Sequence, residues 1–103
     1  MDERVLTLRD IIADIQSLSN DLTIYERKYR VLSETFYESY QRGEEPEDES
    51  WVMDWADWAG AYKIWLRRQE QYRRTIQMLS RQTETLVEVI ERTVQRESIP
   101  VAA

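Results

Sequence analysis

The sequence has no cysteine and no histidine, and only two glycines and two prolines in 103 residues. Without cysteine there is no disulfide, thiolate metal site or cysteine nucleophile. Without histidine there is no Ser-His pairing, imidazole base or histidine-bound metal. Two glycines cannot build a loop that cradles phosphates. No apolar run approaches the roughly 20 residues that a membrane-spanning helix needs. Met1-Asp2-Glu3-Arg4 leads into an amphipathic stretch, not the apolar core of a signal peptide. The expectation is a cytoplasmic protein that is not an enzyme and holds no metal or cofactor. Scarce turn residues also mean few turns, hence few and long elements.

Charge is plentiful instead. Asp plus Glu number 20 against 14 Lys plus Arg, which leaves a net charge of −6. That balance argues against nucleic acid as the main ligand. Before residue 40, Leu8, Ile11, Ile15, Leu18, Leu22, Tyr25, Tyr29, Leu32 and Phe36 recur at alternating spacings of 3 and 4. That is the coiled-coil-type stripe of a helix packed along its length against another. A second stripe runs through Trp51, Trp55, Trp58, Tyr62, Trp65, Gln69, Tyr72, Ile76, Leu79, Thr83, Leu86 and Ile90. Between them lies an acidic break with Gly43, suited to a helix C′ position, and Pro46, which stops a helix.

These patterns predict an all-α fold. An antiparallel hairpin of two long helices forms a single domain over residues 1–97, with a helix over about 2–42, an acidic loop over 43–50 and a helix over about 48–97. Residues 98–103 are expected to be a flexible tail. Ser33-Glu34-Thr35 also resembles a helix start, so a short separate helix over about 34–42 is the alternative. In this alignment Leu8 lies opposite about Leu79, and the second helix overhangs after about residue 83. Two helices cannot cover such seams alone, which predicts assembly into a helical bundle, as a homo-oligomer or with another protein.

Three surfaces are candidates for partner contact. Trp51, Trp55 and Trp58, with Tyr37 and Tyr40 across the loop, form an aromatic group that is either core or a binding surface rich in hot-spot residues. Glu44, Glu45, Glu47, Asp48 and Glu49, then Asp54 and Asp57, form an acidic run that is either a solvated loop with a dipole-matched helix start or a surface offered to a basic partner. Their spacing fits no ordered cation loop. Leu79, Leu86, Val87, Ile90 and Val94 form an aliphatic face suited to self-association. Arg27, Lys28, Arg30, Arg67, Arg68, Arg73 and Arg74 read as the solvent faces of helices, without a DNA-recognition motif.

Tyr29, the run Ser33-Glu34-Thr35-Phe36-Tyr37-Glu38-Ser39-Tyr40, Gly43-Glu44 and Asp54-Trp55-Ala56-Asp57-Trp58 with Tyr62 carry a resemblance. Over Tyr25 to Leu66 the chain resembles small helical antitoxin-like proteins paired with TumE-type toxins. The resemblance implies a protein that binds and neutralises a small ribonuclease-like toxin and has no catalysis of its own. The family carries a Gly shortly after the Tyr that precedes the Ser. Arg30 and Val31 stand there instead, which leads to the expectation of a straighter first helix. The alternative reading is a homo-oligomeric helical adaptor or scaffold without a toxin. An all-helical chorismate mutase would need an Arg-Glu pair after the loop, and no convincing one is present.

Overall fold

The structure is a computed structural model that describes residues 6–82, 85–95 and 100–101. It is all-helical. Among the described residues there are four α-helices: α1 (Leu8–Tyr29), α2 (Ser33–Gln41), α3 (Val52–Gln82) and α4 (Leu86–Gln95), with a 3-10 turn at Glu49–Trp51.

Each boundary has a local cause. Thr7 and Asp10 cap α1 reciprocally. The Thr7 amide donates to Asp10 Oδ2 at 3.0 Å, and the Asp10 amide donates to Thr7 Oγ1 at 3.3 Å. The helix therefore starts at Leu8 and not near residue 2; residues 1–5 lie outside the described residues. It stops because Arg30 takes φ 62, the left-handed conformation. The first helix is thus bent into α1 and α2, and the straighter helix expected from the missing glycine is corrected. Arg30 makes the turn that a glycine would make more easily.

Leu32 precedes α2 in an extended conformation and offers no side-chain cap. Glu26 substitutes for it from the preceding helix. Its Oε2 accepts from the Ser33 amide at 2.9 Å and from Ser33 Oγ at 2.8 Å. At the far end of α2, Gly43 has φ 93. The Gly43 amide donates to the Tyr40 carbonyl and the Glu44 amide to the Ser39 carbonyl, each at 3.1 Å. That is a Schellman ending with Gly43 at C′, as the sequence predicts.

The second long helix is also divided. Thr85 carries the N-cap role for α4, since its Oγ1 accepts from the Glu88 amide at 3.2 Å. The span expected as one helix over 48–97 is therefore the 3-10 turn, α3 and α4. Of the expected flexible tail, Pro100 and Val101 are described. Pro100 forms an antiparallel bridge with Thr7, and the Val101 amide donates to the Leu6 carbonyl at 3.1 Å.

The expected single domain is organised as two compact units, Gln16–Leu66 and a second made of Met1–Ile15 with Arg67–Ala103. In the first, Leu22, Phe36, Trp58, Ala59 and Tyr62 form the buried core. There α1 and α3 run antiparallel, with Lys28 paired to Asp54 and Ser19 bonded to Trp65. In the second, Leu8, Leu79 and Val89 form the core, edged by Tyr72 and Ile76. Arg68 joins Asp14 at 2.8 Å in this unit. The expected bare overhang is thus partly covered: α4 turns Val89 onto Leu8 and Leu79.

Two backbone positions give a direct test. A non-glycine residue in the left-handed region is strained by roughly 1–2 kcal/mol, less the entropy a glycine adds to the unfolded chain. Arg30→Gly should therefore raise stability by about 0.5–1 kcal/mol. Gly60 is an exposed glycine inside α3, and a Cβ there would meet nothing within 4 Å. Gly60→Ala should add a similar increment, about 1 kcal/mol. Urea midpoints of the two variants check both; a fall in either midpoint contradicts the backbone assignment at that position.

Candidate functional site: an aromatic and acidic surface at the α2–α3 connection

The aromatic group follows from helical spacing. Trp51, Trp55, Trp58, Tyr62 and Trp65 recur three or four residues apart, so one face of the 3-10 turn and α3 carries all of them. Phe36 stacks flat on Trp58 with ring centroids 3.8 Å apart and an interplanar angle of 1°. Tyr25 and Tyr29 lie nearly parallel to Trp58 at 5.8 and 5.6 Å. The Trp58 indole N–H donates to Ser33 Oγ at 2.9 Å. Ser33 in turn donates to Glu26, so a three-residue chain locks the core to the corner between α1 and α2.

This geometry sorts the expected partner-binding residues. Trp58 is fully buried and is core, not surface; its indole is already satisfied. Trp55 is half-buried, edge-on to Phe36 at 5.3 Å and stacked on Trp51 at 6.4 Å. Its indole N–H is buried without a hydrogen-bond partner. Tyr37 is half-buried against the Tyr62 ring. Trp51 is 40% exposed, with an edge contact to Tyr29 at 5.3 Å. Tyr40 is exposed beside Phe36, and Val52 and Met53 are exposed, Met53 by 70%. Trp51 and Tyr40 are therefore the part of the group available to a partner, and Val52 and Met53, which the sequence reading did not single out, are exposed next to Trp51 in the chain.

Glu44, Glu45, Glu47, Asp48 and Glu49 are all exposed. Asp48 has a structural duty as well. Its Oδ1 accepts from the Ser50 hydroxyl at 2.7 Å and the Ser50 amide at 2.9 Å, and these bonds hold its carboxyl below the usual range. The other four carboxylates have no ion-pair partner among the described residues.

Sequence reasoning missed one feature here. Asp54 belongs to an ion-pair knot, not to the free acidic surface. Lys28 Nζ donates to Asp54 Oδ2 at 2.5 Å and the Tyr29 hydroxyl donates to the same oxygen at 2.7 Å. Those two bonds, the Lys28 one first, hold the Asp54 carboxyl low. Partners this far apart in the chain leave no local signal. Of the other basic groups, Arg68 is tied to Asp14 and Gln71, and Arg73 and Arg74 to Glu70.

Tyr29 yields a pH prediction. Burial, then the hydrogen bond to Asp54, raises its phenol well above the ordinary value of 10.0. Burial also raises Tyr25 and Tyr62, aided by Asp57 and Glu34 respectively. A raised folded value means the contribution is fully present below pH 10 and is lost as pH climbs through the folded values. An alkaline titration followed by phenolate absorbance should therefore show these three tyrosines lagging, with unfolding setting in as they ionise. Six tyrosines titrating together near pH 10 in a folded chain would contradict it.

The expected self-association residues also divide. Leu79 is buried between Leu8 and Val89 and is core. Leu86 and Val94 are 72% and 75% exposed, and Val87 and Ile90 are exposed with them. A cleft of about 380 Å³, lined by Leu8, Ile12, Tyr72 and Ile76, opens beside Leu86 and Ile90.

Among the described residues, no group of acidic side chains is placed to hold a metal ion, and no helix is long and apolar enough to cross a membrane. Comparison with family models, with curated proteins and with solved structures finds no match for the chain.

Proposed function

We propose that this chain is a protein-interaction module, the antitoxin that binds and neutralises a small ribonuclease-like toxin, with no catalysis of its own. The observation that supports this most is the pairing of exposed Trp51 and Met53 with a run of exposed carboxylates from Glu44 to Glu49. A ribonuclease presents basic side chains to a polyanion, and a carboxylate run competes for the same groups. An exposed tryptophan beside it supplies desolvated contact area that charge alone does not. In this reading the chain acts in the cytoplasm as an antiparallel helical hairpin that assembles into a bundle with its partner.

The test uses the neighbouring reading frame. Its product, expressed alone, should arrest growth. Co-expression of this chain should relieve the arrest, and the two should co-purify. A neighbour without effect on growth, or arrest that this chain does not relieve, overturns the reading.

The exposed apolar face of α4 favours a second reading, a homo-oligomeric helical adaptor without a toxin. Light scattering would then show a stable dimer or tetramer of this chain alone. Leu86→Glu with Val94→Glu would reduce it to a monomer of unchanged helicity. A wild-type monomer at high concentration rejects it.

A further inference from the structure

We propose that the unit made of Met1–Ile15 with Arg67–Ala103 pairs two copies of this chain about a two-fold axis, the exposed ridge of α4 in each copy seated in the apolar cleft of the other. This rests on the self-association of the second reading above, and it holds with or without a toxin partner.

Charge divides the chain by unit. Residues 16–66 carry five Lys and Arg against eleven Asp and Glu, a net charge of −6. The rest of the chain carries nine of each and is neutral. Two copies that met through Gln16–Leu66 would set one charge of −6 against another. The neutral unit carries no such repulsion.

The neutral unit also holds the apolar surface. Its cleft of about 380 Å³ is lined by Ile12 of α1, Tyr72 and Ile76 of α3, and Leu86 and Ile90 of α4. No charged side chain lines it, so an ionic ligand finds no counter-charge there. Of the α4 residues only Val89 is buried. Leu86, Ile90 and Val94, four residues apart, stand exposed as one ridge. The ridge is one lip of the cleft, because Leu86 and Ile90 belong to both. A two-fold axis uses such an arrangement twice, each ridge filling the groove of the other copy.

Unpaired charge selects a second copy over a foreign protein. Arg9 of α1, Arg81 of α3, and Glu88, Glu91 and Arg92 of α4 have no ion-pair partner among the described residues. Both signs are thus unspent on the three helices that wall the cleft. An acidic partner is repelled by the net charge of the chain, and a basic partner is steered to Gln16–Leu66. A second copy offers acids to these bases and bases to these acids.

Sedimentation equilibrium of the full chain, from micromolar to submillimolar concentration, reads the pairing. A monomer–dimer equilibrium is expected. Ile90→Glu on the ridge and Ile12→Glu on the α1 wall each place a carboxylate in the contact from both copies. Each should weaken the dimer at least about tenfold. Ile12 is 38% and Ile90 49% exposed in the single chain, so circular dichroism should show unchanged helicity. Ile12→Gln and Ile90→Gln repeat the test without added charge should helicity fall. Met53→Glu, at an exposed apolar side chain of Gln16–Leu66, should leave the dimer unchanged. A dimer that Met53→Glu dissociates and the other two variants do not overturns this inference and leaves the self-association of the second reading standing. A dimer broken by Ile90→Glu but not by Ile12→Glu overturns the seating of the ridge in the cleft. A wild-type tetramer overturns the single two-fold contact. A wild-type monomer throughout overturns both the inference and the second reading.

Discussion

Trp58→Ala should remove most of the stability of the folded chain. The indole is fully buried, and it stacks on Phe36 while Tyr25 and Tyr29 lie nearly parallel to it. Truncating a buried aromatic to alanine costs about 3–5 kcal/mol in transfer and cavity terms. Small domains have only about 5–15 kcal/mol in total. Ser33 adds to the loss, since its buried oxygen gives up the indole N–H. Urea denaturation followed by circular dichroism should show a midpoint that collapses or a chain already partly unfolded in water. Trp58→Phe separates the two contributions. It keeps the stack and loses the hydrogen bond, so it should cost only about 1–2 kcal/mol. A Trp58→Ala variant with a near-normal midpoint would mean that this stack is not the centre of the core.

Trp51→Ala should have the opposite profile: near-normal folding and a large loss of partner binding. Trp51 keeps one edge contact to Tyr29 and one stack on Trp55, so folding should fall by only about 1 kcal/mol. If it is an anchor for the toxin, hot-spot truncation of 2 kcal/mol or more weakens binding at least about thirtyfold. Titration calorimetry against the purified neighbour product measures this. Charge-neutralising Glu44, Glu45, Glu47 and Glu49 to glutamine should instead slow association and flatten its salt dependence. Unchanged affinity in Trp51→Ala would remove the aromatic surface from the interface. Equal losses of helicity and binding would make Trp51 a core residue like Trp58.

The inward faces of the helices were legible in the sequence. Leu8, Ile11, Leu22, Phe36, Trp58, Tyr62 and Leu79 all lie on the predicted stripes and are buried, whereas Leu32, Trp51, Leu86 and Ile90 on the same stripes are exposed, at the places where the predicted helices break. The Gly43 ending was legible too, because a single residue type carries the left-handed turn. The break before α2 was legible in part: Ser33-Glu34-Thr35 marked the start of a short helix, the alternative that α2 bears out, whereas an arginine in the left-handed conformation at residue 30 has no sequence signature. Its cause is the fixed corner beyond it, where Glu26 caps Ser33 and Ser33 holds Trp58. The start of α4 did have a signal: Thr85 and Glu88 stand at the spacing of a capping box. An unbroken apolar stripe outweighed it. The candidate surface was legible only in outline. Spacing placed the tryptophans on one face, but which of them lies under Phe36 and which beside the loop depends on where α2 folds back.

The bridge between Thr7 and Pro100 makes the two outermost described segments neighbours. Circular permutation is therefore open to this chain. A short linker from Val101 to Leu6 would span that bridge, and new ends can be cut between Gly43 and Asp48, where no helix is interrupted. A permutant of that kind separates the two jobs of the loop, covalent connection of α2 to α3 and display of its carboxylates.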